Sequence, residues 1–502
     1  MIKRMCYPLL AILLTASILI AGCSDSGAPA GKTATEPGGS ALAPYELSIL
    51  FYGSNQKDLK LVEEEISKIT KQKINATVKL NRIEPAAWEQ QRILMLAGNE
   101  KVDLLFTGEK EFVTEVTQRQ LLPLDDLLKK HGQDIIKAFE PEVLAASKIN
   151  GKTYAVPSIR DFASYSGMLV RTDLLTKYNL DVSKVKTLDD MDPIFDTIKK
   201  NEPNVTVLGK ASAGASIAYT PIITTVDTLG DSIGVLSSLD NLKVVNMYET
   251  PEYIKLVKTM RRWFNAGYIA KDAATSTQTG RDYIQANVGF AVMSKGKPGI
   301  NTQTSQRIGV PLTDVRFSQP KTDTVAITNA MFGISANTKD QDRAMMMLNL
   351  MYSDKDIVNL LHWGIEGKHY VKNANQTIDF PPGVDASKSG YNLRQGWMFG
   401  NQLLSYPWAT DDPQIWSQMA EFNKGSKKSA ALGFMYNPDP VKTEIAAINN
   451  VVKQYAMGLE TGTSDPDENL PKFNAALKAA GIDKVIAEKQ KQLDEWAKTN
   501  KK

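Results

Sequence analysis

The sequence contains few of the residues that hold metal ions or close disulfides. Its 502 residues include two cysteines and three histidines. The H-E-x-x-H spacing of zinc peptidases does not occur, and Cys6 and Cys23 do not have the spacing of a zinc-ligand pair. Cys6 lies in an apolar leader, which leaves one cysteine in the rest of the chain. We therefore expect no disulfide, no metal site and no cofactor.

Motifs of nucleotide-dependent enzymes are also missing. Neither the G-x-G-x-x-G spacing of dinucleotide-binding loops nor the G-x-x-x-x-G-K-[ST] spacing of phosphate-binding loops occurs. Paired carboxylates for glycoside hydrolysis are not excluded, because their separation is a spatial property. Asp411 and Asp412 form such a pair near aromatic residues, and a solvated loop is the simpler explanation for them. We expect no catalytic residues and predict that the protein is not an enzyme.

Charge and hydropathy exclude two further classes. The formal net charge is +3 and no basic tract occurs, so we expect no nucleic-acid partner. After the leader, no apolar run reaches the roughly 18 residues of a membrane-spanning helix. The remaining chain of about 450 residues is too long for one hydrophobic core, which predicts two lobes or domains.

The N-terminus has the pattern of an exported lipoprotein. Two basic residues precede an apolar run at 9–20, which is shorter than the roughly 20 residues needed to cross a bilayer. The small residues just before Cys23 resemble a bacterial lipobox, so we predict a signal peptide at 1–22, acylation of Cys23 and anchoring on the outer face of the plasma membrane. An ordinary signal with an incidental cysteine is the alternative. Residues 23–44 are small and polar, which predicts a flexible tether.

Short apolar runs and amphipathic segments alternate along the folded part. YELSILFYG (45–53) and KVDLLFTGE (101–109) predict strands, with helical spacing between them. This alternation predicts an α/β fold with mainly parallel sheets flanked by helices. Ligands of such sheets bind beyond the carboxyl ends of the strands. The rule places Tyr52, Ser54 and Glu109 at a candidate cleft, although an ordinary loop explains any single one of them.

Five segments resemble one family of binding proteins. GKTYAVP (151–157) and RTDLL (171–175) are similar to the first crossover between lobes in the maltodextrin-binding-like class of solute-binding proteins. TNAMFGISANTKD (328–340) is similar to the return crossover. NLLHWGIEGKHYV (359–371) and GFMYNPDPV (433–441) resemble a subgroup of Gram-positive solute-binding lipoproteins with a C-terminal region of the DUF3502 type, linked to import of complex carbohydrates.

The resemblance implies a two-lobed, type II periplasmic-binding-protein-like fold. Lobe 1 would consist of residues 45–156 and 330–395, and lobe 2 of residues 157–329 and 396–502 with a helical C-terminal region. The implied function is that of a monomeric, lipid-anchored receptor of an ABC importer. It would capture an oligosaccharide between the lobes and deliver it to permease subunits. The alternatives are an oligopeptide receptor of the same fold and a surface-anchored polysaccharide-degrading enzyme.

Aromatic residues near the C-terminal third suit a sugar ligand. Sugar rings have apolar C–H faces that stack on aromatic rings, while their hydroxyls need fixed polar groups. Four of the seven tryptophans lie between residues 363 and 416. Further candidate ligand-binding residues are Arg160, Asp161, Trp397, Asn401, Tyr406 and Trp408. The alternative explanation is that these aromatic residues pack one lobe against the other.

Overall fold

The computed structural model describes residues 42–500, apart from the side chains of Glu109 and Lys110. The predicted signal peptide, Cys23 and most of the predicted tether lie outside the described residues. Two larger β-sheets, each covered by helices, organise the described part.

The first sheet has five strands. Their spatial order is Ala76–Ile83, Tyr45–Tyr52, Leu104–Thr107, Met331–Ile334 and Ala155–Pro157. Tyr45–Tyr52 is parallel to both of its neighbours, whereas Met331–Ile334 is antiparallel to both of its own. The middle of Tyr45–Tyr52 is fully buried, because helices cover both faces of the sheet. Four strands therefore run in one direction and end at the same edge, where Met331–Ile334 begins.

The second sheet has four strands. Their order is Leu312–Arg316, Tyr165–Arg171, Gly289–Gly296 and Thr206–Gly209. Tyr165–Arg171 is antiparallel to both neighbours, and Gly289–Gly296 is parallel to Thr206–Gly209. Three strands therefore end at the edge where Tyr165–Arg171 begins.

Shorter elements complete the two lobes. Paired short strands are Lys148–Ile149 with Lys152–Thr153, Gly234–Leu236 with Val244–Asn246, Lys321–Thr322 with Lys427–Lys428, and Val371–Lys372 with Ile378–Asp379. The α-helices are Leu59–Ile74, Trp88–Ala97, Glu109–Thr117, Asp125–His131, Gln133–Ala138, Pro141–Ala145, Thr172–Lys177, Asp192–Asn201, Tyr219–Thr225, Pro251–Asn265, Gly280–Gln285, Ile300–Ile308, Thr324–Thr328, Gln341–Ser353, Lys355–Trp363, Ile415–Lys424, Lys442–Glu460, Pro466–Ala479 and Ile482–Asn500. The 3-10 helices are Pro85–Ala87, Asp189–Met191, Met247–Glu249, Gly396–Met398, Gln402–Leu404 and Asp439–Val441.

Each sheet has its own large hydrophobic core, and the predicted two-lobed α/β fold is confirmed. One core joins residues 47–162 to 327–361 and 391–399, and the other joins 168–315 to 431–493. The division of the chain into lobe segments stays a prediction. Met398 and Phe399 pack in the first core, although the second segment of lobe 2 was expected to begin at residue 396.

The expectation of mainly parallel sheets is wrong in detail, because both sheets are mixed. The first contains two parallel and two antiparallel pairings. The second contains one parallel pairing and two antiparallel ones. The physical reason is that strands entering from a crossover, such as Met331–Ile334, insert between strands of the other direction.

The C-terminal helices belong to the core of the second lobe, which confirms the predicted helical C-terminal region. Phe473 packs between Tyr248 and Tyr455, with ring centroids 4.7 and 5.4 Å away. The fully buried Lys489 ammonium lies 2.7 Å from Asp231 and donates to the Gly234 carbonyl at 3.0 Å. Within residues 42–500, none of the helices combines the length and the hydropathy that a bilayer-spanning segment requires.

Candidate functional site

An aromatic wall lies where strands of the first sheet end. It consists of Tyr52, Trp88, Phe106 and Trp397. The Tyr52 ring centroid lies 5.4 Å from Phe106, 5.5 Å from Trp88 and 6.5 Å from Trp397. Trp88 and Phe106 are buried, whereas Tyr52 and Trp397 are only half-buried. Two aromatic rings are therefore partly available at the strand ends, supported by two buried rings.

The first crossover places charge beside this wall. Burial raises the pKa of Tyr52, and so does the Glu111 carboxylate, while the nearby charge of Arg160 lowers it. Arg160 itself follows Ala155–Pro157, the last strand of the first sheet. The cation is thus within electrostatic reach of the aromatic wall.

Arg160 connects the two crossovers. Its guanidinium is buried and donates to Asp161 Oδ1 at 2.8 Å, to the Ala326 carbonyl at 2.9 Å and to Asn329 Oδ1. Ala326 and Asn329 belong to the return crossover. The chain around Arg160 is also fixed, because Asn423 Nδ2 donates to its carbonyl at 2.6 Å. One side chain therefore links two of the three connections between the predicted lobes.

Arg160 and Asp161 form a charged hub, and Asp161 joins this hub to the second lobe. Its carboxylate lies 2.8 Å from Arg160 and 2.9 Å from the Lys297 ammonium. Burial alone would raise the pKa of Asp161, but the charges and hydrogen bonds of Lys297 and Arg160 outweigh burial and lower it. Asp161 is therefore an ionised, half-buried acceptor at the junction of the lobes.

The second lobe contributes a polar cavity of about 230 Å³ at the ends of its strands. Among the residues around it are Asp161, Ser164, Arg281, Ser294, Lys295 and Lys297. Gly296 leaves room for the Tyr165 ring, because a Cβ there would lie 1.9 Å from a ring carbon. The cavity and the aromatic wall are thus both positioned by strand ends, as the rule for open α/β sheets predicts.

Three further residues predicted to bind ligand are Ser54, Glu109 and Asn401, and each has its own surroundings. Ser54 is exposed and accepts a hydrogen bond from Gln56 Nε2 at 2.9 Å. The side chain of Glu109 lies outside the described part of the chain. Asn401 lies beside the first crossover, where it pairs with Ile159 in a short bridge, and its Oδ1 accepts from the Leu403 amide at 3.1 Å.

Tyr406 and Trp408 pack away from the aromatic wall. They form a small separate cluster with Tyr370 and Ile378, against which Trp363 also packs. The Trp363 and Trp408 rings lie 5.3 Å apart, and Trp363 Nε1 donates to the Tyr406 carbonyl at 3.1 Å. Their contacts are those of structural residues, and the structure does not bring them to the strand-end edge.

Sequence reasoning missed several residues at this edge. Trp88 and Phe106 belong to the aromatic wall, and Arg281, Lys295 and Lys297 belong to the cavity. Lys295 is the second-last residue of the strand Gly289–Gly296, so the strand-end rule applied to the second lobe would have found both lysines. Arg281 gives no such signal, because it lies near the start of the helix Gly280–Gln285 and not at the end of a strand.

Two other kinds of site, a metal centre and a serine nucleophile, can be compared with the chain. Within residues 42–500, no group of three or more histidine, cysteine or acidic residues could hold a metal ion. The G-x-S-x-G spacing of a serine nucleophile occurs at residues 230–234. Ser232, however, precedes the short strand Gly234–Leu236 instead of joining a strand to a helix, so the backbone is not that of a nucleophile elbow.

A family model described as bacterial extracellular solute-binding protein matches residues 53–358, more than half of the chain. The chain belongs to this family. A second model, a domain of unknown function (DUF3502), matches residues 430–498, the helical C-terminal region. The family resemblance predicted from the crossover and C-terminal segments is therefore confirmed.

Relatives of this solute-binding protein come from Streptococcus pneumoniae. A carbohydrate ABC transporter substrate-binding protein of that organism is 28% identical over 494 residues, covering 96% of each chain. The crystal structure of its N-glycan transport solute binding protein NgtS is 28% identical, covers 92% of this chain and all of that one, and superposes with a TM-score of 0.81. NgtS in complex with Man5GlcNAc covers the same shares at 27% identity, with a TM-score of 0.68.

Proposed function

We propose that this protein is the extracellular receptor of an ABC importer and captures an oligosaccharide between its two lobes. The observation that carries the proposal is the half-buried pair Tyr52 and Trp397 beside the charged hub of Arg160 and Asp161. Aromatic faces suit the apolar sides of sugar rings, and fixed charged groups suit their hydroxyls. The carbohydrate-binding relatives support the same ligand class.

The proposed ligand contacts are a subset of the residues predicted from the sequence. Tyr52 and Trp397 would stack on sugar rings, and Asp161 would accept hydrogen bonds from hydroxyls. Arg160, Ser54, Glu109 and Asn401 are the other predicted residues that stay among the proposed contacts. Tyr406 and Trp408 are left out of the proposed contacts, because their rings support the separate cluster.

Capture would involve a change in the arrangement of the lobes. A ligand that contacts both lobes stabilises the closed arrangement by its differential affinity for that state. NgtS superposes on this chain with a TM-score of 0.81, but with 0.71 in its complex with Man1GlcNAc and 0.68 with Man5GlcNAc. This difference supports a lobe movement in the relative, and we extend it to this chain.

The receptor would act at the membrane surface. Acylated Cys23 would hold it on the outer face of the plasma membrane, and the tether at residues 23–44 would let the folded part reach the permease. The permease and ATPase would be other chains, and the receptor itself would be a monomer without catalytic activity.

A thermal-shift screen tests the proposed function. The purified full-length chain, in a detergent without sugar groups, is mixed with manno-oligosaccharides carrying GlcNAc, with other neutral oligosaccharides, and with di- and tripeptides. A ligand at 100 times its Kd should stabilise the folded state by about 2.7 kcal/mol. A saccharide that stabilises the chain and is recovered intact supports the proposal. Stabilisation by peptides alone, or cleavage of the glycan, would overturn it.

Trp397→Ala is expected to weaken saccharide binding by about tenfold, or about 1.4 kcal/mol, because the variant loses one stacking surface. Isothermal titration with the best saccharide of the screen measures the change. The matched control is Trp496→Ala, which removes another half-buried tryptophan, packed on Phe434 at 6.0 Å in the second lobe. Equal affinities for the Trp397 variant and the parent chain would remove this residue from the proposed site.

A further inference from the structure

The cavity of the second lobe carries more positive than negative charge. Arg281, Lys295 and Lys297 lie around it, and Asp161 is the one carboxylate among its lining residues. Asp161 is already shared between Lys297 and the buried Arg160. The negative charge of Asp161 is therefore balanced by Arg160 and Lys297. The other charged residues that line the cavity, Arg281 and Lys295, are both cations.

Two of these cations have no carboxylate partner. Among the described side chains, neither Arg281, which is half-buried, nor Lys295, which is exposed, forms an ion pair. Arg281 donates to the Ala211 carbonyl at 3.2 Å, and its Nε is buried without a hydrogen-bond partner. Lys295 remains accessible to solvent at the floor of the cavity. Although part of its side chain is exposed, desolvation of the ammonium group between the surrounding residues lowers the pKa of Lys295, and the charge of Arg160 lowers it further, while Asp161 and Asp323 raise it.

Further donors converge on the same space. Ser294 is 1% exposed, and its Oγ has no hydrogen-bond partner among the described residues. The helix Ile300–Ile308 begins at the cavity, and Gly299 gives its first turn no side-chain cap. The amide groups of an uncapped helix N-terminus attract anions. A buried hydroxyl, a helix N-terminus and two unpaired cations thus surround one cavity.

We propose that this cavity binds the oxyanion of an acidic saccharide, either the carboxylate of a sugar acid or a sulfate ester. The proposal rests on the proposed function and narrows its ligand class. Carboxylate and sulfate share the chemistry that the cavity offers, namely charge and several acceptor oxygens. A volume of about 230 Å³ accommodates such a group together with part of its sugar ring.

The carboxylates that oppose the positive charge of the cavity are Asp161, Asp282, Asp323 and Asp411. Asp411 is half-buried, its pKa is raised by burial, and the charge of Lys297 partly offsets that increase. Asp161 and Asp411 act on Lys297, Asp161 and Asp323 also act on Lys295, and Asp282 acts on Arg281. None of these carboxylates forms an ion pair with Arg281 or Lys295. Arg281, Lys295 and the helix N-terminus remain the groups that distinguish an acidic ligand from a neutral one.

The test compares glycans that differ only in their acidic group. The full-length chain is titrated with a sialylated N-glycan and its asialo form, and with sulfated and unsulfated forms of one neutral oligosaccharide. We expect the acidic member of a pair to bind about tenfold more tightly or better, since hydrogen bonds to a charged group are the stronger ones. Equal affinity within every pair would overturn the acidic subsite and leave the proposed receptor intact. Binding of no saccharide would overturn both.

Two further measurements show whether the cavity carries the preference. Lys295→Met is expected to remove most of the tenfold advantage of the acidic glycan and to leave the affinity for its neutral partner within about twofold. The control Lys453→Met changes an exposed lysine of a C-terminal helix and should preserve the advantage. Sodium sulfate alone is titrated in parallel. Competition by free sulfate as strong as that of the acidic glycan would indicate an adventitious ion only and contradict the proposal, as would an unchanged advantage in Lys295→Met.

Discussion

Replacement of Arg160 by alanine is expected to lower the free energy of unfolding by about 3–5 kcal/mol, because it removes one partner of a buried charge network. The guanidinium is 7% exposed and donates to the return crossover at Ala326 and Asn329. Without it, the buried Ala326 carbonyl and the Asn329 side chain lose their donor, and Asp161 keeps only Lys297 as a partner. Urea titration followed by tryptophan fluorescence measures the loss.

The matched control for this variant is Arg262→Ala. Arg262 also contacts two carboxylates, at 2.7 Å from Asp189 and 3.1 Å from Asp192, but its side chain is 47% exposed. Solvent screens such pairs, so the loss should stay below about 1 kcal/mol. A similar loss for both arginines would mean that burial of Arg160 is not what holds the crossovers together.

The strand-end rule explains why part of the site could be predicted from the sequence. A buried strand is visible as an apolar run, and the residues after it must lie at one edge of the sheet. Tyr52 and Arg160 follow two such strands, and the structure places them close together.

The predicted strand directions were partly wrong because one strand of the first sheet comes from a part of the chain far from its neighbours. Met331–Ile334 joins the first sheet from more than 150 residues beyond its neighbour Ala155–Pro157. Whether such a strand enters parallel or antiparallel depends on the path of the crossover, which leaves no local signal. The alternation of strands and helices therefore predicted the fold class correctly and the strand directions only in part.

Local composition is a poor guide to where aromatic side chains point. Trp397 and Trp408 lie only eleven residues apart. The first joins the aromatic wall, and the second packs against Trp363 in the separate cluster. The difference comes from tertiary contacts with a distant helix, so a count of nearby tryptophans could not separate the two.

The buried Glu460 predicts a stability that depends on pH. Its carboxyl group, at the end of the helix Lys442–Glu460, accepts hydrogen bonds from Ser216 and from Tyr253 at 3.1 Å, and it forms no ion pair with any described residue. Burial raises the pKa of Glu460 from 4.5 to about 7, although both hydrogen bonds lower it. The folded state thus binds a proton at pH values where the unfolded chain has released it.

The contribution of Glu460 to the free energy of unfolding is therefore fully present below pH 4.5 and is lost as the pH rises through about 7. The reason is that the folded state binds more protons than the unfolded chain in this window. Glu460→Gln removes the ionisation. Relative to the parent chain, the variant is expected to gain about 2–3 kcal/mol in the free energy of unfolding between pH 5 and pH 8. Glu115, with a pKa raised by burial to about 7, and His362, with a pKa lowered by burial to about 4, titrate equally in both chains. Their contributions cancel in the difference.

Urea titrations of the parent and Glu460→Gln at pH 5, 6, 7 and 8 measure this gain. The exposed Glu495→Gln, on the last helix, is the control and should change the free energy of unfolding by less than about 0.5 kcal/mol at each pH. A constant difference between parent and Glu460→Gln across the series would show that Glu460 is ionised throughout. A gain that is complete by pH 7.5 would instead show that the Glu460 carboxyl group is neutral in the folded state at mildly acidic pH. In this form it joins the C-terminal helices to the rest of the second lobe through Ser216 and Tyr253.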